Sequence, residues 1–276
     1  MSEACNCNHG GMPEPPKPNF QVPSNENSNI CHVIAIMSGK GGVGKSLVTS
    51  LLASRVSAAG YRVGILDADI TGPSIPKAFG VDGQSLHSRE NLMVPAETES
   101  GIKIVSSNLL LDDDTEPLIW RGPMIASVVK QFWSDVYWGD VDYLFVDMPP
   151  GTGDVPLTVF QSLPVEGIVV VTSPQELVSM IVEKAVNMAN QMDVPILGLV
   201  ENLSYYNCPD CGKSHAVFGE SHIDEVAAGH GLKVLAKAPI DSAIAAAVDA
   251  GKVETLTAPW LDEAVAAVTG DKKAQS

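Results

Sequence analysis

The sequence predicts an α/β protein with a mostly parallel sheet and helices on both faces of that sheet. Runs rich in β-branched residues recur along the chain and alternate with stretches of helical periodicity. The strand-like runs are continuously apolar, which is typical of strands that are buried on both sides. With 276 residues, of which 45% are hydrophobic, the chain is long enough to bury a sizeable core.

Each predicted element follows from a local pattern. Apolar, β-branched runs predict the strands, and Pro123 and Pro174 suit the first turns of two helices. The predicted strands cover residues 33–37, 62–66, 102–106, 143–146, 167–172, 196–200 and 234–238, and the predicted helices cover 47–59, 123–133, 174–190, 242–250 and 261–269.

Composition divides the chain into three segments. Residues 1–29 are rich in Pro, Asn, Gly and Ser, and this composition predicts a flexible arm. A single folded domain over residues 30–270 and a disordered tail over 271–276 complete the prediction.

Charge and cysteine usage limit the partners that we expect. The formal net charge of -16 disfavours nucleic acid and anionic lipid. No apolar run reaches the length of a membrane span, and the beginning of the chain lacks the basic and apolar regions of a secretory signal. Five cysteines do not suggest a secreted disulfide scaffold. We therefore predict a cytoplasmic protein with no nucleic-acid or membrane partner.

The most informative segment is residues 39–46, with the sequence Gly-Lys-Gly-Gly-Val-Gly-Lys-Ser. It lies between an apolar run and a helical stretch, which is the context of a phosphate-binding loop. The glycines let backbone N–H groups point inward toward phosphate oxygens, Lys45 is placed to reach the β and γ phosphates, and Ser46 to ligate Mg²⁺. The alternative is a glycine-rich turn with an incidental lysine. The predicted nucleotide-binding residues of the loop are Gly39, Lys40, Gly41, Gly42, Val43, Gly44, Lys45 and Ser46.

Four aspartates follow predicted strands. Asp67 and Asp69 come after the strand at 62–66, while Asp147 and Asp154 come after the strand at 143–146. Since the carboxyl ends of parallel strands share one sheet edge, we expect these side chains near the loop. Asp147 suits a Mg²⁺ ligand, Asp67 or Asp69 suits the group that orients the attacking water, and the turn ending in Asp154 suits a γ-phosphate switch. The alternative is that each aspartate forms a turn or caps a helix.

Two cysteines form a C-x-x-C pair at Cys208 and Cys211. This spacing favours metal binding over a redox disulfide, and it does not separate zinc from an iron–sulfur cluster. His215 is either a third zinc ligand or a solvated loop histidine.

Four motifs in one order resemble a known family. The loop with the additional lysine at Lys40 resembles that of the MinD and ParA class of P-loop NTPases. Four further segments resemble the Mrp/ApbC iron–sulfur carrier ATPases, and the likeness extends from about residue 30 to 265. They read LDADITGPS at 66–74, with WRGPM at 120–124, DMPPGTGD at 147–154 and ENLSYYNCPDCG at 201–212.

The resemblance implies an ATP-dependent carrier or scaffold that binds a [4Fe–4S] cluster and passes it to recipient apoproteins, working as a homodimer with cluster-assembly proteins. Cys208 and Cys211 supply two thiolates, and a two-fold axis would complete the usual set of four. By position, Lys40 resembles a lysine that reaches the partner's phosphates. Asn202 resembles a residue that hydrogen-bonds to adenine, and the alternative is a residue that only forms a turn at the end of a strand. Pro239 is placed to form one wall of the base pocket.

Other cysteines and other functions remain open. Cys5 and Cys7 lack the four-cysteine pattern of some relatives, so they either capture metal transiently or belong to an inert tail. Cys31, at the start of the first strand, predicts a small buried core residue. The alternative functions are a positioning ATPase of the MinD/ParA kind and an electron donor resembling the nitrogenase iron protein. The short C-terminal segment 260–276, in which Lys272 and Lys273 are the basic residues, does not form a basic amphipathic anchor and argues against the former.

Overall fold

The computed structural model describes residues 21–69, 74–84, 86–89, 92–110, 122–174 and 178–270. The strands are β1 (Ser28–Ser38), β2 (Val63–Asp67), β3 (His87–Arg89), β4 (Leu92–Val94), β5 (Ala96–Glu97), β6 (Lys103–Val105), β7 (Gly139–Asp147), β8 (Gly167–Thr172), β9 (Ile196–Asn207), β10 (Ser214–His215) and β11 (Val234–Pro239). The α-helices are α1 (Lys45–Ala58), α2 (Ile75–Ala78), α3 (Gly122–Ser134), α4 (Asp154–Ser162), α5 (Val178–Met192), α6 (Ile223–Gly229), α7 (Ser242–Asp249) and α8 (Asp262–Thr269).

The central sheet has the order β10-β9-β8-β1-β7-β2-β6-β5, and β11 also pairs with β9. Its inner pairings are all parallel, which confirms the predicted fold class. The short strands β5 and β10 pair antiparallel at the two ends, and β3 and β4 form a separate hairpin. None of the described helices combines the length and apolar character needed to cross a bilayer.

Two apolar layers enclose the sheet. Alternate residues of β1 point to opposite faces, so Ile34 and Ile36 pack into the layer that contains α1 and α8, whereas Val33, Ala35 and Met37 pack into the layer of α3, α4 and α5. Because both faces are covered, the inner strands have no polar side. This explains the continuously apolar runs in the sequence.

Described residues before the predicted boundary at residue 30 already contact the domain. β1 starts at Ser28, and the Asn25 side-chain amide donates hydrogen bonds to the carbonyls of Ser134 (2.9 Å) and Val136 (2.7 Å). The Trp133 indole N–H also donates to the carbonyl of Val22 at 2.8 Å. Residues 22–29 are therefore fastened to the domain. Residues 1–20, including Cys5 and Cys7, lie outside the described part of the chain, as do residues 271–276.

The prediction that Cys31 is a core residue is wrong, because its side chain is exposed. β8 flanks β1 only from Ile34 to Ser38, so at Cys31 the strand has β7 as a neighbour and lacks cover on the other side. A second difference concerns β9, which continues to Asn207, well beyond the predicted end at residue 200.

Candidate functional site

The phosphate-binding loop connects β1 to α1, as predicted. Gly42 and Gly44 have φ angles of 78° and 79°, the left-handed region that glycine enters without steric cost. At Gly39 a Cβ atom would lie 2.3 Å from Cγ2 of Ile181, because the loop backbone packs directly on α5. Gly39 therefore needs glycine for space, Gly42 for conformation, since no atom lies within 4 Å of its Cβ position, and Gly44 for both.

A buried carboxylate anchors the start of α1. Lys45 Nζ and the Ser46 hydroxyl donate to Oδ2 of Asp147 at 2.7 and 2.6 Å, and the Thr49 hydroxyl donates to Oδ1 at 2.6 Å. The structure thus brings together three predicted residues and adds Thr49, which the sequence analysis missed. Thr49 lies one helical turn after Lys45, and this spacing predicts that the two side chains lie on the same face of the helix.

The two aspartates after β2 differ in environment. Asp67 is fully buried and accepts hydrogen bonds from the Ser106 hydroxyl (3.0 Å) and the Asp69 backbone N–H (3.1 Å). Burial, and then the negative charge of Asp147, raises the pKa of Asp67 well above its usual value. Asp69 is partly exposed, and its Oδ2 lies 3.5 Å from Lys45 Nζ. Of the two candidates, Asp69 is the one that a substrate can reach.

A cavity of about 290 Å³ lies over the loop. Asp69 and Pro150 line it together with backbone and side chains of the loop, from Ser38 to Leu47. Lys40 is half-buried nearby, and its carbonyl accepts a hydrogen bond from the Ser38 hydroxyl at 2.9 Å. Asp154 begins α4, and its side chain lies outside the described part of the structure. Its predicted switch role stays a prediction.

Asn202 lies against the phosphate loop rather than in an open pocket. Its amide nitrogen donates to the carbonyl of Val43 at 2.9 Å, and a Cβ on Gly44 would lie 2.1 Å from the same nitrogen. Pro239, at the end of β11, lines a different cavity beside Tyr206. The predictions that Asn202 and Pro239 contact adenine therefore stay predictions.

The cysteine pair sits in the hairpin between β9 and β10. The Cys208 N–H donates to the carbonyl of Lys213 (2.9 Å), the Gly212 N–H donates to that of Cys208 (2.8 Å), and Gly212 takes a φ of 70°. Hydrogen bonds from the backbone N–H of Cys211 and then that of Asp210 lower the pKa of the Cys208 thiol. The ligand atoms of Cys208, Cys211 and His215 all lie within 4.8 Å of one another. His215, which the sequence left as a possible loop histidine, therefore lies beside both thiols.

The parallel sheet, the glycine loop at the amino end of α1 and the converging aspartates define a nucleotide-binding P-loop protein. Residues 29–269 match a ParA family model described as "NUBPL iron-transfer P-loop NTPase", and the chain belongs to this family. This finding confirms the resemblance seen in the sequence.

Two named relatives are similar over most of the chain. The chain is 45% identical over 237 residues to an "Iron-sulfur cluster carrier protein" of Clostridium perfringens, covering 83% of each protein. It is 46% identical over 225 residues to a protein of the same name from Saccharolobus solfataricus, covering 81% of this chain and 76% of the relative.

Solved structures agree with the fold. A nucleotide-binding protein from Archaeoglobus fulgidus, solved in complex with ADP and with cobalt found in it, is 43% identical; the match has a TM-score of 0.76 and covers 84% of this chain and 90% of that one. The MinC:MinD complex of Aquifex aeolicus is 15% identical, with a TM-score of 0.63 and coverage of 89% and 97%, so it supports the fold alone.

Proposed function

We propose that this protein is an ATP-dependent carrier of [4Fe–4S] clusters, which are its cargo. The relatives named as iron–sulfur cluster carriers and the ADP-bound neighbour support both halves of this proposal. The observation that carries it is the path of β9. This strand contacts the phosphate loop through Asn202 and then continues directly into the hairpin of Cys208 and Cys211.

The nucleotide half of the mechanism follows from the charges around the loop. Lys45 supplies a buried positive charge for the phosphates, and Ser46 and Asp147 supply the hydroxyl and carboxylate oxygens that Mg²⁺ prefers. Asp69, which is reachable from the cavity, orients the attacking water. Asp67 stays behind it and holds the Asp69 backbone N–H in place.

The cargo half requires two copies of the chain. Each copy brings two thiolates, and a two-fold axis through the hairpins completes the four that a [4Fe–4S] cluster takes. Val217 and Phe218, close to the hairpin in sequence, are 57% and 51% exposed. Exposed apolar side chains of this size are typical of surfaces that meet another protein. In the dimer, Lys40 contacts the phosphates held by the partner, and recipient apoproteins and cluster-assembly proteins dock near the same edge.

The nucleotide site and the cysteine pair are coupled through β9, which extends from one to the other. From Asn202 to Cys208 the chain spans at most about 20 Å, the length of this segment at the rise of an extended strand. A change in the loop that alters the Asn202 hydrogen bond is therefore transmitted along a single strand to the cysteines. ATP binding closes the dimer around the cargo, and hydrolysis loosens it.

Two variants separate the halves. Lys45→Ala should abolish ATP hydrolysis and cluster delivery to an apoprotein while anaerobic cluster loading stays near the wild-type level. Cys208→Ala should abolish loading while ATP hydrolysis persists, and it thereby serves as the matched control. Iron and sulfide counting, visible absorbance and phosphate release measure the three activities. Unchanged delivery by Lys45→Ala would refute the coupling, and turnover with a low-potential electron donor and acceptor would instead indicate a reductase.

A further inference from the structure

We propose that Cys208, Cys211 and His215 of a single chain form a three-ligand site for one divalent transition-metal ion. This inference rests on the proposed function for the two thiol ligands, and it adds His215 and a second kind of occupant. The single-ion form and the dimer-bridging cluster then compete for the same cysteines.

The distances support a site within one chain. The two sulfur atoms and an imidazole nitrogen lie within 4.8 Å of one another. In a tetrahedral site with metal–sulfur bonds near 2.3 Å and a metal–nitrogen bond near 2.0 Å, ligand atoms are about 3.5–3.8 Å apart. Closing the site therefore takes movements of at most about 1 Å, which rotation of the exposed Cys211 and His215 side chains and the half-buried Cys208 side chain provides.

The hairpin holds the three ligands at one end of two paired strands. His215 pairs with Tyr206 across the β9–β10 ladder, and Ser214 pairs with Asn207, whose side-chain oxygen accepts from the Ser214 hydroxyl at 2.6 Å. The Cys208 N–H bond to the Lys213 carbonyl closes the turn. Since the backbone that carries all three ligands is already hydrogen-bonded, metal binding has little chain entropy to overcome.

His215 is the histidine that the hairpin places beside the two thiols. Among the residues that the structure describes, this is the one group of three or more possible ligands with such mutual proximity. His222, seven residues further along, precedes α6, and its Nδ1 lies 3.7 Å from Oε2 of Glu225 in that helix. The set of two thiolates and an imidazole with an open fourth position suits Zn²⁺, Fe²⁺ or Co²⁺.

The chemistry of the two occupants is different. A single ion needs both thiolates and the imidazole of one chain, so it does not require a dimer. A bridging [4Fe–4S] cluster takes two thiolates from each chain and leaves His215 uncoordinated. A chain loaded with a single ion is therefore unable to accept a cluster until that ion leaves.

Anaerobic titration of the reduced, metal-free full chain with Co²⁺ tests the site, because thiolate-to-cobalt charge-transfer absorbance counts sulfur ligands. The wild type should bind one Co²⁺ per chain, with the absorbance of two thiolates per ion. His215→Ala should weaken binding by at least about tenfold. His215→Cys should restore tight binding and raise the charge-transfer absorbance per ion by half. His222→Ala is the matched control and should bind as the wild type does.

Two results would overturn the inference. One is a stoichiometry of one Co²⁺ per two chains with doubled charge-transfer absorbance, which would indicate bridging by four thiolates. The other is unchanged Co²⁺ affinity in His215→Ala. Cluster reconstitution is measured in parallel, and His215→Ala should load the cluster as the wild type does. If the wild type fails to load a cluster, the proposed function is refuted, but the Co²⁺ result still stands. Failure of the proposed function and failure of the single-ion site are therefore distinguishable.

Discussion

Gly44→Ala tests how tightly the phosphate loop is joined to β9. The new methyl group would stand 2.1 Å from Nδ2 of Asn202 and 3.3 Å from its Cγ. Because Asn202 is buried, its amide has to leave the Val43 carbonyl to make room. The substitution therefore breaks the contact between the loop and the strand without removing any polar group.

Two costs add to the expected loss of stability. A left-handed conformation at a non-glycine residue costs about 1–2 kcal/mol. Leaving a buried hydrogen-bond partner unsatisfied costs about 1–3 kcal/mol more. We therefore expect Gly44→Ala to lower the free energy of unfolding by about 2–5 kcal/mol, measured by urea denaturation without nucleotide or Mg²⁺.

Gly42→Ala is the matched control, because Gly42 has the same φ within a degree but open space around its Cβ. It should lose only the conformational cost of about 1–2 kcal/mol. Asn202→Ala in the Gly44→Ala background should recover part of the additional loss, because it removes the clash. Equal losses at Gly42 and Gly44 would refute the argument that Asn202 presses on the loop.

Three further predictions concern buried polar groups, each measured by urea denaturation without nucleotide or Mg²⁺. Asp147→Ala leaves the Lys45 ammonium, which is 5% exposed, without its nearest anion, so we expect a loss of about 3–5 kcal/mol; a loss below about 1 kcal/mol would contradict it. The raised pKa of Asp67 means that the native state keeps a proton that the unfolded chain releases above about pH 4, so the contribution of Asp67 to wild-type stability falls as pH rises above about 4. Asp67→Asn should lack this fall, so its stability relative to the wild type should increase as pH rises above about 4, whereas a constant difference would contradict the raised pKa. Asn25→Ala, at a half-buried side chain, should cost about 1–3 kcal/mol because it loses the two bonds that its amide donates and the two that its Oδ1 accepts, whereas Asn27→Ala, at an exposed side chain, should cost less than about 0.5 kcal/mol.

The inner strands were predictable because burial on both faces leaves a strong local signal. β8 has the predicted bounds, and all six of its residues are buried. The outer elements β5, β10 and the β3–β4 hairpin were missed, since strands of two or three residues are too short to show a period. The extension of β9 to Asn207 was missed because it begins with polar residues that the structure buries, Glu201 and Asn202, and ends in the exposed Tyr206 and Asn207.

The part of the candidate site that lies within one continuous motif was predictable from the sequence. The phosphate loop specifies its glycines and Lys45 by spacing alone. Contacts between distant segments were beyond the sequence, such as the bond from Asn202 to Val43, 159 residues away. The choice between Asp67 and Asp69 likewise depends on which side chain the sheet buries. The place of His215 beside the thiols depends on the hairpin register, which the spacing of the cysteines does not determine.

The irregular centre of β9 explains how one strand serves two sites. Between its pairs with Lys237 and Pro239 of β11, β9 inserts additional residues, and within them Leu203 takes a left-handed φ of 58°. A bulge of this kind redirects a side chain, and here it accompanies the turn of Asn202 toward the loop. A left-handed leucine is strained by about 1–2 kcal/mol, so this point of the strand is held by its surroundings rather than by its own preference. In the proposed coupling, a change in the hydrogen bond of Asn202 acts on this strained position, and β9 is the element that connects the phosphate loop to the cysteines.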